Sequence, residues 1–364
     1  MATADVTVMG GGIFGLSIAY ACALRGARVR LIERHRIGAG SSGGLVGALA
    51  PHVPESWNAK KEFQLDSLLM AEAFWAGVQT ASGIDPGYAR SGRLQPLADQ
   101  TAVAQAERRA SEAARLWRGK AVWQVVAEVE TGWAGTSPSG FWLHDTLSAR
   151  LNPRQALAAL AAAIRARGGS VEELNEPVGG AARRMPPAGI FPDRKCAMPV
   201  IWATGVQGLA DLSADLGREA GNGVKGQAAL FACAARAKPQ LFVDGLHIVP
   251  HGDGTVAVGS TSERLFDDAA ATDARLEAPI TTARAACPAL SDAPLIERWA
   301  GVRPRAASRA PILGAWPGRE GQFIANGGFK IGFGMAPKVA EVIADLVLEG
   351  RDLIPTGLRV SDCL

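Results

Sequence analysis

Residues that bind metals or form disulfide frameworks are scarce in this sequence. Its 364 residues include five cysteines and five histidines. The cysteines are odd in number and scattered, and no two have the close spacing of a zinc site or a CxxC redox site. The histidines form no HExxH motif. These absences predict a protein without a metal centre, kept in the reducing cytoplasm.

Long apolar runs and a large excess of one charge are also missing. Nowhere do about 18 apolar residues follow one another, so no membrane span is expected. Asp5 and the glycines at positions 10–12 interrupt the apolar N-terminus, which predicts a strand and a turn rather than a signal peptide. The net charge is +3, from 38 basic and 35 acidic residues, with no basic run long enough to form a tail. This balance argues against a nucleic-acid partner.

The first forty residues carry a glycine-rich motif between two apolar runs. Residues 6–9 and 29–32 are short and apolar, as in the buried strands of a parallel sheet. Between them, residues 13–25 place apolar side chains at helical spacing, and Gly26 ends that pattern. A GxGxxG motif precedes this predicted helix, with its glycines at Gly10, Gly12 and Gly15. The pattern predicts a βαβ unit that ends at an acid, Glu33, about 20 residues beyond the glycines.

Each part of this unit suits the binding of a dinucleotide. Gly10 permits a tight turn, Gly12 lets the backbone approach a pyrophosphate, and Gly15 allows helix and strand to pack closely. The helix N-terminus presents free N–H groups and a positive dipole end to the phosphates. The Glu33 carboxylate can accept hydrogen bonds from ribose hydroxyls and would repel a 2′-phosphate. The unit therefore favours FAD or NAD over NADP.

The loop that follows distinguishes between these two cofactors. Residues 38–51 form a long run of small residues, whereas NAD-binding domains usually continue directly into the next helix. A flexible glycine and serine linker is the alternative. Ser41 and Ser42 could donate to phosphate oxygens, and residues 45–49 could form an apolar wall against a flat ring. Here the chain resembles the glycine oxidase/D-amino acid oxidase (DAO) family of FAD-dependent oxidoreductases, whose corresponding loop lies along the pyrophosphate and isoalloxazine.

The resemblance extends along most of the chain, in the family's order. Residues 200–205 (VIWATG) match the segment that closes the FAD site, and residues 299–304 (WAGVRP) match the WAGxRP motif. Cys287 lies outside that motif, which implies non-covalent FAD. Val178 matches a residue whose backbone contacts the adenine. The implied cofactor-binding residues are Gly10, Gly12, Ile13, Phe14, Gly15, Glu33, Arg34, Ser41, Ser42, Leu45, Val46, Gly47, Leu49, Val178, Thr204, Gly205, Arg303, Gly327, Gly328, Phe329, Lys330, Ile331 and Gly332.

The last glycine-rich segment resembles the family's contact with the flavin ring. Residues 327–334 contain four glycines, which would let backbone amides reach the pyrimidine edge of the flavin. A helix entered near Met335, with Pro337 in its first turn, would point its positive end at flavin N1 and C2=O. An ordinary tight turn before a C-terminal helix is the alternative.

The resemblance implies an α/β fold with two domains. A Rossmann-like FAD-binding domain is expected to combine residues 1–84, 143–224 and 299–364. An antiparallel-sheet α+β substrate domain is expected to combine residues 85–142 and 225–298. A hairpin over residues 247–259, with a Gly-Asp-Gly turn, would belong to the second sheet.

Three residues are candidates for contact with the substrate. In the family, a hydride moves from the carbon bearing an amine nitrogen to flavin N5, and water hydrolyses the imine. Arg303 matches the carboxylate-binding arginine, because a guanidinium pairs bidentately with a carboxylate and stays charged. Lys330 is a second anion contact or a solvated lysine, and His247 is a substrate contact or a core histidine. Only Tyr20 and Tyr88 are present, which argues against a tyrosine-lined pocket.

The sequence therefore predicts an FAD-dependent oxidoreductase that oxidises a small amine or amino acid. Oxygen or an electron carrier would reoxidise the flavin, and a homo-oligomer is compatible with the sequence. Three alternatives stay open: a quinone- or carrier-linked amino-acid dehydrogenase, the flavin domain of a tRNA wobble-uridine modification enzyme, and a flavin-binding subunit with little activity alone. Sparse lysine and the absence of a basic stripe count against the RNA substrate.

Overall fold

A computed structural model describes residues 4–176 and 198–363 of the protein. Within these residues the helices are α1 (Ile13–Leu24), α2 (Ala59–Ser82), α3 (Gln100–Leu116), α4 (Pro153–Ala166), α5 (Gly205–Leu216), α6 (Glu277–Ala286) and α7 (Gly332–Glu349). The strands are β1 (Val6–Met9), β2 (Val29–Glu33), β3 (Ala48–Leu49), β4 (Arg93–Pro96), β5 (Trp123–Val126), β6 (Trp142–Asp145), β7 (Ala149–Arg150), β8 (Ser170–Glu173), β9 (Val200–Trp202), β10 (Gly221–Ala232), β11 (Gln240–Val243), β12 (Leu246–Pro250), β13 (Thr255–Gly259), β14 (Leu295–Ala306), β15 (Ile312–Ala315) and β16 (Gln322–Asn326).

A six-stranded sheet has the strand order β15-β16-β9-β1-β2-β8. It is parallel except for β15, which joins one edge antiparallel to β16. The central strand β1 is buried at every residue, as a parallel strand covered on both faces must be. From β1 the chain crosses to β2 on one side and later reaches β9 on the other. The carboxyl ends of β1, β2, β9 and β16 therefore meet at a switch point, where such sheets bind their ligands.

The βαβ unit has the bounds that the sequence predicts to within one residue. Helix α1 ends at Leu24, and Gly26 follows with φ +85°, a left-handed conformation that glycine adopts freely. Strand β2 pairs in parallel with β1, so that Val6 lies opposite Val29. The α/β fold class is confirmed, because a Rossmann-like sheet and a second, largely antiparallel sheet are both present.

An eight-stranded sheet has the order β14-β10-β13-β12-β11-β4-β6-β5. It is antiparallel except for the pair of β11 with β4. The predicted hairpin is confirmed as β12 and β13, with His247 opposite Gly259. The long strands β10 and β14 pair over most of their length and place Arg303 opposite Val224. This pairing carries Arg303 to the end of the sheet that faces the switch point.

The apolar core surrounds the six-stranded sheet. Helices α1, α2, α4 and α7 pack on one another and contribute most of the largest cluster of buried side chains. Trp75 and Trp117 are fully buried in it. No helix in residues 4–176 or 198–363 is both long enough and apolar enough to cross a membrane.

The structure tests the predicted start of helix α7 and gives the positions of the expected domain boundaries. Helix α7 begins at Gly332 rather than near Met335, so Pro337 lies in the second turn and not in the first. The prediction was wrong because the glycines before Pro337 already adopt helical geometry, and the proline removes only one early helical hydrogen bond. Three expected domain boundaries, at 142/143, 224/225 and 298/299, fall inside β6, β10 and β14. The division into two domains stays a prediction.

Candidate active site

The glycine motif after β1 forms a turn that side chains would obstruct. Gly10 has φ +109°, and a β-carbon built there would lie 2.4 Å from the Ala203 carbonyl oxygen. A β-carbon at Gly15 would lie 1.9 Å from the Gly10 carbonyl oxygen, so α1 and the turn are in backbone contact. Gly12 is the N-cap of α1 and has no side chain to cap the helix. The turn therefore opens the positive end of α1 to an anion.

Glu33 is held beside this turn at the carboxyl end of β2. Its carboxylate accepts hydrogen bonds from the Gly11 amide at 2.6 Å and from the His35 amide at 2.9 Å. The neighbouring Arg34 forms an ion pair with Glu176 at 2.6 Å. Glu33 thus has a fixed position at the place where an adenosine ribose meets this class of turn.

The loop of small residues folds back over the N-terminus of α1. The Ile13 amide donates to Ser42 Oγ at 3.1 Å, which leaves the Ser42 hydroxyl hydrogen free for another acceptor. A β-carbon at Gly12 would lie 3.2 Å from the same Ser42 Oγ. Loop, turn and helix therefore enclose a narrow space bordered by N–H and O–H donors.

A cavity of ≈ 990 Å³ runs from this space to the eight-stranded sheet. Three helix N-termini line it, at residues 12–14 of α1, 205–207 of α5 and 332–334 of α7. Neither α5 nor α7 has a side-chain cap, so their positive ends face the cavity. The predicted cofactor residues that line it are Gly10, Gly12, Ile13, Phe14, Glu33, Arg34, Ser41, Ser42, Val46, Leu49, Thr204, Gly205, Arg303, Gly328, Phe329, Lys330, Ile331 and Gly332.

Four other predicted residues lie behind the cavity wall. Gly15 packs against the Gly10 turn, and a β-carbon at Gly47 would lie 1.9 Å from the Leu151 carbonyl oxygen. Leu45 is buried in a small cluster on the eight-stranded sheet, and Gly327 is buried with φ +76°. These residues shape the wall through backbone packing rather than by facing the cavity. Val178 lies outside the described residues.

Arg303 lies on the cavity wall without a carboxylate partner. Its guanidinium donates to Ser260 Oγ at 2.7 Å and to the Thr261 carbonyl at 3.3 Å. None of the described carboxylates lies within 4.0 Å of it. Burial lowers the pKa of Arg303 to about 10, and the charge of Glu263 partly offsets that effect. At neutral pH the group is a desolvated, oriented cation that is ready to pair with a carboxylate.

Lys330 lies near Arg303 at the mouth of the cavity. Its Nζ is 5.8 Å from the centre of the Phe329 ring, and its side chain is exposed. Desolvation and the charge of Arg303 lower the pKa of Lys330. The lysine makes no ion pair with a described residue, and it lines the cavity.

His247 belongs to a stack of three side chains on the cavity wall. Its ring lies 4.7 Å from the ring of Phe242, and Arg93 covers the same phenylalanine at 5.5 Å. Burial, followed by the charges of Arg93 and Lys330, lowers the pKa of His247 to about 3. His247 is therefore neutral at pH 7, and its buried Nδ1 has no partner among the described residues. It can hydrogen-bond a ligand, but it is a weak base.

The sequence pattern gave no indication of several residues on this wall. Arg93 is buried and pairs with the fully buried Asp145 at 2.9 Å. Gln64 accepts hydrogen bonds from the amide and the ring of His52. Phe242 and Ser260 complete the group. Arg93 reaches this wall through the pairing of β4 with β11, two strands that lie far apart in the sequence.

The shape and donors of the cavity fit FAD. Thr204 Oγ1 is buried at the start of α5 and has no hydrogen-bond partner among the described residues. The space beside Gly12 and Ser42 is one that a larger side chain would fill. Three helix N-termini provide N–H groups for phosphate and for the polar edge of a flavin. Of the described cysteines, Cys22 and Cys287 are buried in the core and Cys233 is half-buried, and none lines the cavity.

Comparison with known proteins identifies the family. The model of the DAO family, described as FAD dependent oxidoreductase, matches residues 5–346. The chain belongs to this family. The resemblance seen in the sequence is thereby confirmed, and so is FAD as the cofactor of an oxidoreductase.

Relatives in the DAO family match over different lengths. Glycine oxidase of Pseudomonas aeruginosa is 34% identical over 132 residues, which are 36% of this chain and 36% of that protein. Glycine oxidase of Pseudomonas putida is 27% identical over 367 residues, 96% of each chain. The solved structure of glycine oxidase from Geobacillus kaustophilus has a TM-score of 0.79 at 23% identity, covering 97% of this chain and 96% of that one. The structural likeness shows that the fold is shared.

Proposed function

We propose that the chain oxidises an amino acid at the carbon that bears the amine nitrogen. Bound FAD supplies a two-electron acceptor, so that the C–H and N–H bonds of the substrate become an imine. Water then hydrolyses the imine to an oxo acid and an amine or ammonia. The observation that carries the proposal is Arg303, a desolvated cation without a carboxylate partner, on the wall of the cavity that the glycine turn opens.

Arg303 orients the substrate in this proposal. Hydrogen bonds to Ser260 and Thr261 fix the orientation of the guanidinium, and its remaining N–H groups can bind a carboxylate in one orientation. Binding the carboxylate fixes the neighbouring carbon relative to the flavin, which is the positioning contribution that an enzyme makes to a cofactor reaction.

His247 and the helix N-termini have electrostatic roles in the same proposal. With a pKa of about 3, His247 does not take a proton from a substrate ammonium at neutral pH. Its unpartnered Nδ1 instead serves as a hydrogen-bonding group to the substrate. The positive end of α7, at residues 332–334, stabilises negative charge that develops on a reduced flavin ring.

The relatives support the substrate class. Glycine oxidases are among the proteins that match along nearly the whole chain. Tyr20 is buried in α1 and Tyr88 lies away from the cavity, so the described pocket is not lined by tyrosine. We assign the side-chain selectivity of this protein to Arg93, Phe242, His247 and Lys330, which line the cavity.

Product analysis tests the proposal. Purified protein loaded with FAD is incubated with amino acids, and oxo acid and ammonia are measured. Peroxide formed in air would identify an oxidase, whereas dye reduction without peroxide would identify a dehydrogenase linked to a quinone or another carrier.

Binding of tRNA at low salt would favour the RNA-modifying alternative. An isolated chain that turns over no amine would favour a partner subunit. Release of the flavin by acid precipitation would establish non-covalent attachment, and a cytoplasmic location stays a prediction.

A further inference from the structure

The charged side chains of the cavity are divided between its two ends. Near the glycine turn and α5 the lining carries three carboxylates and one arginine, at Glu33, Glu176, Asp211 and Arg34. At the eight-stranded sheet the charged lining residues are Arg93, Arg303 and Lys330, with no carboxylate among the described residues of the lining. Asp145 pairs with Arg93 at 2.9 Å from behind this lining, so the unpaired positive charge at the substrate end comes from Arg303 and Lys330.

One carboxylate would leave part of that charge unpaired. Arg303 alone provides a bidentate partner for the carboxylate next to the amine. Arg93 bonds Asp145 through Nε only, and neither of its terminal nitrogens has a hydrogen-bond partner among the described residues. Lys330 likewise has no ionic partner among them. Arg93 and Lys330 thus retain donors for another anion.

These donors converge on one place. Arg93 covers one face of Phe242, and His247 packs against the same ring. The charges of both Arg93 and Lys330 lower the pKa of His247, and all three residues line the same cavity. The buried, unpartnered His247 Nδ1 adds a neutral hydrogen-bonding group near these cations.

The two anion-binding places are close together. Ser260, which accepts from the Arg303 guanidinium at 2.7 Å, directly follows Gly259, and Gly259 pairs with His247 on the neighbouring strand. Neighbouring strands lie about 4.8 Å apart. A second anion at His247 would therefore be separated by only a few bonds from the carboxylate at Arg303.

We propose that the substrate is an amino acid with two carboxylates, one bound by Arg303 and the other by Arg93, Lys330 and His247. This inference rests on the proposed function and specifies its substrate. A short dicarboxylate can carry its second group on the side chain, as in aspartate, or on the nitrogen, as in N-(carboxymethyl)glycine. Both place two anions within a few bonds of the oxidised carbon.

Matched substrate pairs test the inference with the FAD-loaded enzyme under anaerobic conditions. Aspartate is compared with asparagine, each as both enantiomers, and N-(carboxymethyl)glycine with N-methylglycine, by the rate of flavin bleaching per unit concentration. The dicarboxylate of at least one pair is expected to exceed its partner by about tenfold or more. The pair that responds shows whether the second carboxylate is on the side chain or on the nitrogen.

Two lysine variants test whether Lys330 contributes to the preference for the dicarboxylate. Lys330→Gln is expected to reduce the preference for the dicarboxylate several-fold, whereas Lys338→Gln, on α7 and outside the described cavity lining, keeps it. Equal rates within both pairs, with bleaching by both members of each pair, would overturn the inference and leave the proposed function standing.

Inert ligands separate binding from reaction. Succinate and butyrate have no amine, and their dissociation constants are measured from the perturbation of the flavin spectrum. Succinate is expected to bind about tenfold more tightly than butyrate. Equal affinity would contradict a second anion site. Tight succinate binding without bleaching by any amino acid would contradict the proposed function, and with it the assignment of the substrate.

Discussion

The guanidinium of Arg303 lies directly over the backbone of Gly226. A β-carbon built at Gly226 would be 1.7 Å from Arg303 Nη1 and 2.2 Å from Cζ. The two residues belong to the paired strands β14 and β10, and the missing side chain on β10 makes room for the guanidinium. Gly226 is therefore a positioning residue for the group that we propose to bind substrate.

Gly226→Ala is expected to displace Arg303 and raise KM for amino-acid substrates by about 10²-fold, because small misplacements of a binding group have large effects. FAD binding should persist, since Gly226 does not line the described cavity. Steady-state kinetics and the flavin spectrum measure the two effects. Gly77→Ala, in helix α2 with only an ordinary contact to Tyr20, is the matched control and should leave KM unchanged. An unchanged KM in Gly226→Ala would contradict the positioning role.

Gly12→Val is expected to weaken FAD binding by at least tenfold. A β-carbon there lies 3.2 Å from Ser42 Oγ, and the valine methyl groups would occupy the space between loop and turn. Gly12→Ala should have a smaller effect. Fluorescence titration of the apoprotein with FAD gives the dissociation constants, and thermal unfolding without FAD shows whether the fold is intact. Native affinity in the valine variant would mean that the cofactor lies elsewhere.

The local pattern was sufficient to predict the βαβ unit. Its strands, helix and glycines lie within one continuous segment, so apolar periodicity and the glycine positions determine the outcome. The hairpin of β12 and β13 was predicted for the same reason. For this unit and this hairpin, the information in one continuous segment of chain was enough.

The far wall of the cavity could not be read from local patterns. Arg93 reaches it because β4 pairs with β11, about 150 residues later in the chain, and Arg93 there lies over the Phe242 ring of β11. Leu45 and Gly47 belong to the predicted apolar loop, yet they face the protein interior. Side-chain direction in an irregular loop depends on tertiary packing, which composition does not encode.

Asp145→Ala is expected to lower the free energy of unfolding by about 3–5 kcal/mol, because it leaves the buried Arg93 without its partner. Asp145 is fully buried and also accepts from the Ser148 amide at 2.7 Å. Glu130→Ala removes a surface partner of Lys238 and should cost at most about 1 kcal/mol. Urea denaturation compares the two. Similar small losses would show that the buried pair contributes little.

His247→Gln is expected to make the protein less sensitive to acid. The pKa of His247 is about 3 in the folded protein against an ordinary value of 6.5, so below pH 6.5 the unfolded chain binds a proton that the folded chain excludes. This term lowers the free energy of unfolding as the pH falls from 6.5 towards 3, and the variant lacks it. His251 remains in both proteins, so the difference isolates His247. The free energy of unfolding of both proteins is measured from pH 7 to pH 4.5. An equal dependence on pH in the two proteins would refute the lowered pKa of His247.

We propose that an amino acid binds at Arg303 and reduces FAD in this cavity. The most direct test is an anaerobic titration of the FAD-loaded protein and of its Arg303→Ala variant with amino acids, followed by flavin absorbance. We expect the unmodified protein to bleach, and the variant to keep its flavin but need a concentration about 30-fold higher or more for half-reduction, as when one partner of a buried charge pair is lost. A flavin that no amino acid reduces, or one that both proteins reduce at equal concentrations, would contradict the claim.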